Sequence, residues 1–356
     1  MAEGFSGGLE GVVAAETVLS DIDGEHGRLL IRGMPLERLA ERGFEAAVAL
    51  LWEGIVAGEL DSGGMVVLLG KARIAASRNV GRWLPSARGK AVPQGLRLAL
   101  AAIPDASTPA EVAAALPVAL AALTRARRGL EPVAPDPRLT TAADFLRMLR
   151  GEQAEAREIA ALDAYLATVI DHGLNASTFA ARVVASTHAS LAATATAAYC
   201  ALTGPLHGGA PGPVLDMLDA IGSPERVEPW LEQALEKGER LMGFGHRVYR
   251  VRDPRAEALK AALLRLDPKA GRLALAQEVE RCALALLKRR KPGRALDTNV
   301  EFYTALLLDA LALPRENFVS VFAMSRIAGW IAHAFEQRRT GRLIRPASRY
   351  IGPRAA

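Results

Sequence analysis

The sequence predicts an all-α fold, and three observations carry that prediction. Half of the 356 residues are hydrophobic but only 5% are aromatic, so the core must be filled by small and aliphatic side chains. Alanine and leucine dominate, while the β-branched residues that favour strands are scattered. Apolar residues recur at helical spacing in segments punctuated by proline, glycine and Ser/Thr/Asp starts.

The one exception comes first in the chain. Two short β-branched or apolar runs, 12–19 and 28–32, flank the turn-forming pair Asp23-Gly24 and predict a small hairpin. From Leu36 the period becomes helical, with segments near 36–57, 62–79, 93–103, 109–128 and 140–150. Thr108-Pro109-Ala110-Glu111 shows the start pattern: a threonine cap, proline in the first turn, then an acid at the positive helix end. Gly129 to Arg138 holds three prolines and predicts a connection. Further helices are expected near 154–170, 177–203, 211–221, 224–241, 253–265, 271–290, 299–312, 314–323 and 325–339. The length allows two domains. With no internal repeat and no low-complexity linker, any division must arise within one continuous chain.

The net charge is +5 and the isoelectric point about 9.4. Lysine and arginine are spread out, and no basic run alternates with aromatics, which argues against nucleic acid and suits small anionic partners. Cys200 and Cys282 form no CxxC pair, so neither a zinc site nor a disulfide framework is expected. Those thiols, and an N-terminus lacking a basic segment followed by an apolar one, predict a cytoplasmic protein. Residues 183–215 contain no Asp, Glu, Lys or Arg, but hydroxyl residues and Gly204-Pro205 break the stretch, which predicts a buried helix and a loop rather than a membrane span.

Three of the six histidines sit beside glycine in loop-like contexts: His172 in IDHGLNAST, His207 in GPLHGGAP and His246 in GFGHRVYR. Glycine lets the backbone approach a ligand closely, and three histidines in one kind of setting point to chemistry. His26 is expected in a turn and His188 within a helix; with His333 they are read as structural or surface residues. After His246 come Arg247, Arg250, Arg252 and Arg255, a density of rigid donor forks suited to carboxylate and phosphate. Arg326 opens an apolar helix and must find a partner there, while Arg345 lies in the tail. Asn299 and Glu301 stand at a helix start, where the acid could serve the helix dipole or act as a general base. No close histidine pair such as HExxH is present, so no metal is expected.

In this order GLEGVVAAETVLSDIDGEHGRLLIRG, DHGLNASTFAARVVAST, GPLHGGA, GFGHRVYRVRDPR, NVEFY and RLIRP resemble the citrate synthase family, over residues 8–353. The resemblance implies a two-domain all-α homodimer. Residues 1–212 and 314–356 would form a large domain, 213–313 a small one, and the cleft between them would close on substrate. It implies an acyl-CoA:2-oxo acid condensing enzyme that joins acetyl-CoA to oxaloacetate, or propionyl-CoA as a 2-methylcitrate synthase does; a catalytically weak paralogue that binds CoA or a carboxylate is the alternative of another class. His207 would polarise the thioester carbonyl, Glu301 remove the α-proton, and His246 bind the ketone. His172, Arg255 and Arg326 would hold the carboxylates, and Arg345 would reach the partner subunit's site. Arg250, the loop of Leu241, Gly243, Phe244 and Gly245, and Asn299 would contact CoA, a cosubstrate rather than a tightly bound cofactor. Three departures stand out: Glu301 where the family has aspartate, Pro211 where asparagine follows HGGA, and a shorter, less similar stretch over 54–100.

Overall fold

The computed structural model describes residues 8–353 apart from 10, 57, 209–210, 268–270 and 295, and omits the side chains at 211, 271 and 340. Gly209 and Ala210 of GPLHGGA, and the side chain of Pro211, therefore lie outside the described residues. Three short antiparallel strands come first: β1 Ser20–Asp23, β2 Arg28–Ile31 and β3 Met34–Pro35. Ser20 pairs with Ile31 and Asp23 with Arg28, so the turn spans residues 24–27. The expected first strand at 12–19 is displaced: Val12, Val13 and Val18 are exposed and irregular, and pairing begins where the chain can bury Leu19.

Sixteen α-helices follow among the described residues. They are α1 Leu36–Arg42, α2 Phe44–Trp52, α3 Ser62–Ser77, α4 Val80–Ala87, α5 Val92–Ala101, α6 Pro109–Arg127, α7 Thr141–Arg150 and α8 Ala156–Thr168. Then come α9 Ala176–Ala185, α10 Leu191–Leu202, α11 Pro211–Ile221, α12 Val227–Glu236, α13 Pro254–Leu266, α14 Gly271–Arg290, α15 Val300–Ala310 and α16 Phe318–Thr340. The all-α class and the small hairpin of the sequence analysis are thus present. The capping box at Thr108 forms as expected: its hydroxyl accepts from the Glu111 N–H at 3.3 Å, and the Glu111 carboxylate accepts from the Thr108 N–H at 2.8 Å.

Four boundaries differ. The predicted 36–57 helix is broken at Gly43, whose φ of 84° ends α1. The predicted 177–203 helix is two, because His188 adopts φ 62° and Ser190 caps α10 by accepting from the Ala193 N–H at 3.2 Å. His188 is therefore exposed in a turn, not within a helix. Helix α4 carries Pro85 and escaped the periodicity. The pieces near 314–323 and 325–339 are one helix, α16, entered through a 3-10 turn at Arg315–Asn317.

Alanine-rich α6 is buried along most of its length and packs against α3, α5, α7 and α16, an approach on several sides that small side chains permit. Helix α16 also packs on α2, α9 and α10, while α13 joins α15 to α8 and α1. Two stretches, Pro109–Arg127 and Arg315–Arg339, are long and apolar enough to cross a membrane, but 72% and 83% of their most apolar windows are buried in protein.

Candidate active site

The local structure around Glu301 is fixed by two glycines and an asparagine. Gly243 and Gly245, at φ 85° and 82°, turn the Leu241–Gly245 loop back on residues 297–299. There the Gly245 N–H donates to the Asp297 carbonyl at 2.7 Å and the Asn299 N–H to the Gly243 carbonyl at 2.9 Å. A Cβ on Gly243 would lie 2.8 Å from the Phe302 ring, so no larger residue fits without a shift. Asn299 caps α15 by accepting from the Glu301 N–H at 3.0 Å and donates its amide to the Gly245 carbonyl at 2.8 Å. The residue before His246 and the start of the Glu301 helix are thereby tied together.

His246 has its protonation geometry set by backbone. Its Nδ1 accepts from the N–H groups of Val248 at 3.0 Å and Tyr249 at 3.2 Å, so the ring proton sits on Nε2. Arg255 Nη2 lies 3.3 Å from that nitrogen, and Asp253 holds the guanidinium through Nε at 3.0 Å and Nη2 at 2.7 Å. His172, only 7% exposed, stands edge-on to His246 with ring centroids 5.4 Å apart and meets the Tyr249 hydroxyl at 3.1 Å. Burial, with the positive field of Arg255, pushes the His172 pKa well down and holds His246 down to about 4.

His207 is the mirror case. Its Nε2 accepts from the Ser177 N–H at 3.3 Å and lies 3.0 Å from the Ser177 hydroxyl, so the proton is left on Nδ1. Asn175 caps α9 and fixes Ser177 by accepting from its N–H at 3.1 Å. Burial, with Arg326 and Arg247, lowers the His207 pKa to about 4. Both histidines are neutral donors near pH 7, one through Nε2 and the other through Nδ1.

Glu301 as a residue is partly exposed, but its Oε2 is buried and has no partner. Desolvation, against the pull of Arg255 and Arg326, raises its pKa to about 7. Arg326, 2% exposed, donates from Nε to the Val169 carbonyl at 2.8 Å, stacks 4.6 Å over the Phe322 ring, and has an Nη2 without a partner. Burial, with repulsion from Arg255, lowers its pKa to about 10. A buried arginine with an unspent donor, in the positive field of a second buried arginine, calls for an anion.

Of the residues singled out from sequence, His172, His246, Arg255, Arg326 and Glu301 gather here by contact or mutual field, and His207 joins through Arg326. Leu241 and Phe244 are buried at 3% exposure, and the Asn299 side chain is spent on its cap. Arg250 is exposed; its backbone N–H donates to the Gly24 carbonyl at 2.8 Å and its Nε lies 4.0 Å from the Glu25 carboxylate. Arg345 is exposed in the extended segment after α16, and no described contact joins it to the cluster. Sequence reasoning missed Tyr249, Asp253, Ser177 and Asp171; of these, Asp253 alone had a legible mark, its place before proline at a helix start. Among the described residues no group of three or more His, Cys, Asp or Glu is arranged to hold a metal. A cavity of about 110 Å³ between α3, α4, α5 and α6 contains none of the site residues.

A helical protein with two neutral histidine donors, a high-pKa carboxylate and an arginine clamp belongs among the condensing acyltransferases. Its sequence matches the family described as citrate synthase, C-terminal domain, over residues 8–347. It is 37% identical to the citrate synthase of Haloferax volcanii, covering 97% of this chain and 95% of that one. It is 36% identical to the 2-methylcitrate synthase of Mycobacterium tuberculosis, covering 97% and 90%. Its fold matches the Thermoplasma acidophilum citrate synthase, solved as a ternary complex with carboxymethyl coenzyme A and oxaloacetate, with TM-score 0.89 and 27% identity over 99% of this chain and 98% of that one. The chain belongs to the citrate synthase family.

Proposed function

We propose that this chain condenses acetyl-CoA with oxaloacetate and releases citrate and CoA. The observation that carries this proposal is the pair of neutral histidines with protons on opposite ring nitrogens, together with a carboxylate and an arginine that each keep an unpartnered atom. Glu301 takes the α-proton of the thioester as the His207 Nδ1–H donates to the carbonyl oxygen, where charge develops. The resulting enol carbon attacks the ketone of the 2-oxo acid. The ketone oxygen receives its proton from the His246 Nε2–H, and water then hydrolyses the thioester to free the thiol. His172, Arg255 and Arg326 hold the carboxylates, with Arg326 offering its free Nη2.

CoA is assigned to Arg250, the loop from Leu241 to Gly245, and Asn299. Residues 213–313 act as the small domain that closes over the cleft, and the protein works as a cytoplasmic homodimer with Arg345 completing the site of the partner subunit. One observation favours a second substrate: Glu301 is one methylene longer than the aspartate of the family, which moves the base relative to the acyl group, and a 2-methylcitrate synthase is among the relatives. The test is thiol release with acetyl-, propionyl- and butyryl-CoA against oxaloacetate, pyruvate and 2-oxoglutarate. Acetyl-CoA with oxaloacetate should give the highest kcat/KM. Preference for propionyl-CoA would move the assignment to methylcitrate formation, and silence with every pair would overturn it.

A further inference from the structure

Behind the site lies a buried polar chain that the chemistry above does not use. Asp171, His333, Arg182 and Glu336 are all at most 3% exposed. Arg182 donates to His333 Nδ1 from Nε at 3.0 Å and Nη2 at 2.8 Å, and its Nη2 is ion-paired with Glu336. The ring proton of His333 therefore sits on Nε2, which donates to Asp171 Oδ1 at 3.1 Å. Asp171 Oδ2 accepts from the Ser20 hydroxyl at 2.7 Å and from the Gly173 N–H at 3.2 Å. Helix α16 lies directly on this turn, since a Cβ at Gly329 would meet the Ile170 carbonyl at 2.6 Å and Asp171 Oδ1 at 2.8 Å.

Asp171 precedes His172, and it is the largest favourable charge felt by Arg326. Burial opposes its ionisation, yet His333 and Arg326 hold its pKa down to about 2. Arg326 holds the Val169 carbonyl two residues before Asp171, and Gly329, one turn further along α16, sits against Asp171 Oδ1, so this carboxylate is the group that would ordinarily cap the free Nη2, and a capped Arg326 could not grip a substrate. The three donors on Asp171 prevent that. Buried ion-pair networks rarely add stability over apolar packing, so this chain of polar groups calls for another role.

We propose that His333, anchored by the Arg182–Glu336 pair, is a positioning residue: it restrains Asp171 so that Asp171 supports the charge of Arg326 without occupying its fork, which stays open to the 2-oxo acid. This rests on the assignment of Arg326 to the 2-oxo acid made above. His333→Leu frees Asp171 to pair with Arg326. The KM for oxaloacetate should then rise about tenfold, the size of one charge-assisted hydrogen bond, while the KM for acyl-CoA stays within about twofold. His333→Gln, which keeps a donor for Asp171 and an acceptor for Arg182, should restore the wild-type value. The double variant His333→Leu/Asp171→Asn should recover much of the loss, because an amide cannot neutralise Arg326.

Calorimetric titration of oxaloacetate into each purified protein reads the same effect without turnover. Should His333→Leu fail to fold, Ser20→Ala removes another donor from Asp171 and should raise the KM for oxaloacetate several-fold. Equal rises in both KM values, an unchanged oxaloacetate affinity, or a double variant no better than the single one would overturn the restraint while leaving the condensing reaction intact. A wild type that binds acyl-CoA but no 2-oxo acid by calorimetry would instead overturn the assignment of Arg326, and this proposal with it.

Discussion

Replacing Glu301 with glutamine should abolish catalysis and, at alkaline pH, stabilise the empty enzyme. The carboxyl ionises at about 7 rather than 4.5 because its buried oxygen lacks a partner, and Arg255 and Arg326 only partly offset the lost hydration. At about 1.4 kcal/mol per tenfold, the folded state gives up roughly 3 kcal/mol to carry the ionised form. The sign follows from the raised pKa: the folded protein binds the proton more tightly, so nothing is lost below about 4.5, the loss grows between 4.5 and about 7, and it is constant above. His207 and His246, held down to about 4, withdraw stability as pH falls below about 6, but they do so in both proteins and cancel in the difference. Urea unfolding at matched protein concentration should therefore show the glutamine variant more stable by roughly 3 kcal/mol at pH 8 and by a fraction of that at pH 5. In the same preparation, exchange of the acyl α-proton with deuterated solvent should fall by about 10²–10⁴-fold. A stability difference that does not change with pH, or a variant less stable at pH 8, would refute the buried and unpartnered carboxylate. Retained exchange would remove Glu301 from the reaction.

Because the base must be ionised, kcat/KM for acetyl-CoA should climb with unit slope towards about pH 7 and then level off; an acid limb retained in the residual activity of Glu301→Gln would show a histidine in charge instead. His246→Ala should lower kcat by at least about a hundredfold with circular dichroism unchanged, since the ring accepts from N–H groups of its own loop and Arg255 keeps its pairing with Asp253 without it. Arg326→Lys should raise the KM for oxaloacetate about tenfold or more, as a point charge replaces a fork whose Nε already holds the Val169 carbonyl; a change confined to acyl-CoA would mean the pockets are exchanged. Glu301→Asp should lose rate if the loop between Gly243 and Asn299 is adapted to the longer side chain, and a gain in citrate formation would mark the wild type as a decayed synthase.

The helices were legible where the sequence carries its own punctuation. Thr108-Pro109 and Asn299 fixed the starts of α6 and α15 to within a residue, because capping is local chemistry that needs no tertiary partner. The errors fell where local and tertiary preferences conflict. His188 stands in a left-handed conformation that sequence assigns to glycine or asparagine, so periodicity ran through it and merged α9 with α10. Val12 to Val18 read as a strand on composition, but a strand requires a neighbour, and β2 pairs only from Arg28 to Ile31.

The site divides along a similar line. The two histidines assigned to the reaction were visible because each sits in a glycine-bearing motif, and Glu301 because it follows an asparagine cap at a helix start. The groups that decide how they react were not. Which nitrogen of His246 carries the proton depends on the backbone N–H groups of Val248 and Tyr249, and for His207 it depends on Ser177, thirty positions away. A backbone donor has no residue identity to be read, and a serine in NAST is indistinguishable from any helix-start serine until the fold brings a histidine to it. Asp171 carries the point furthest: its oxygens are turned to Gly173 and, across 151 and 162 residues of chain, to Ser20 and His333. Under the proposal above, its charge supports Arg326 while those three donors keep it from closing the fork, and no neighbouring residue in the sequence signals that restraint.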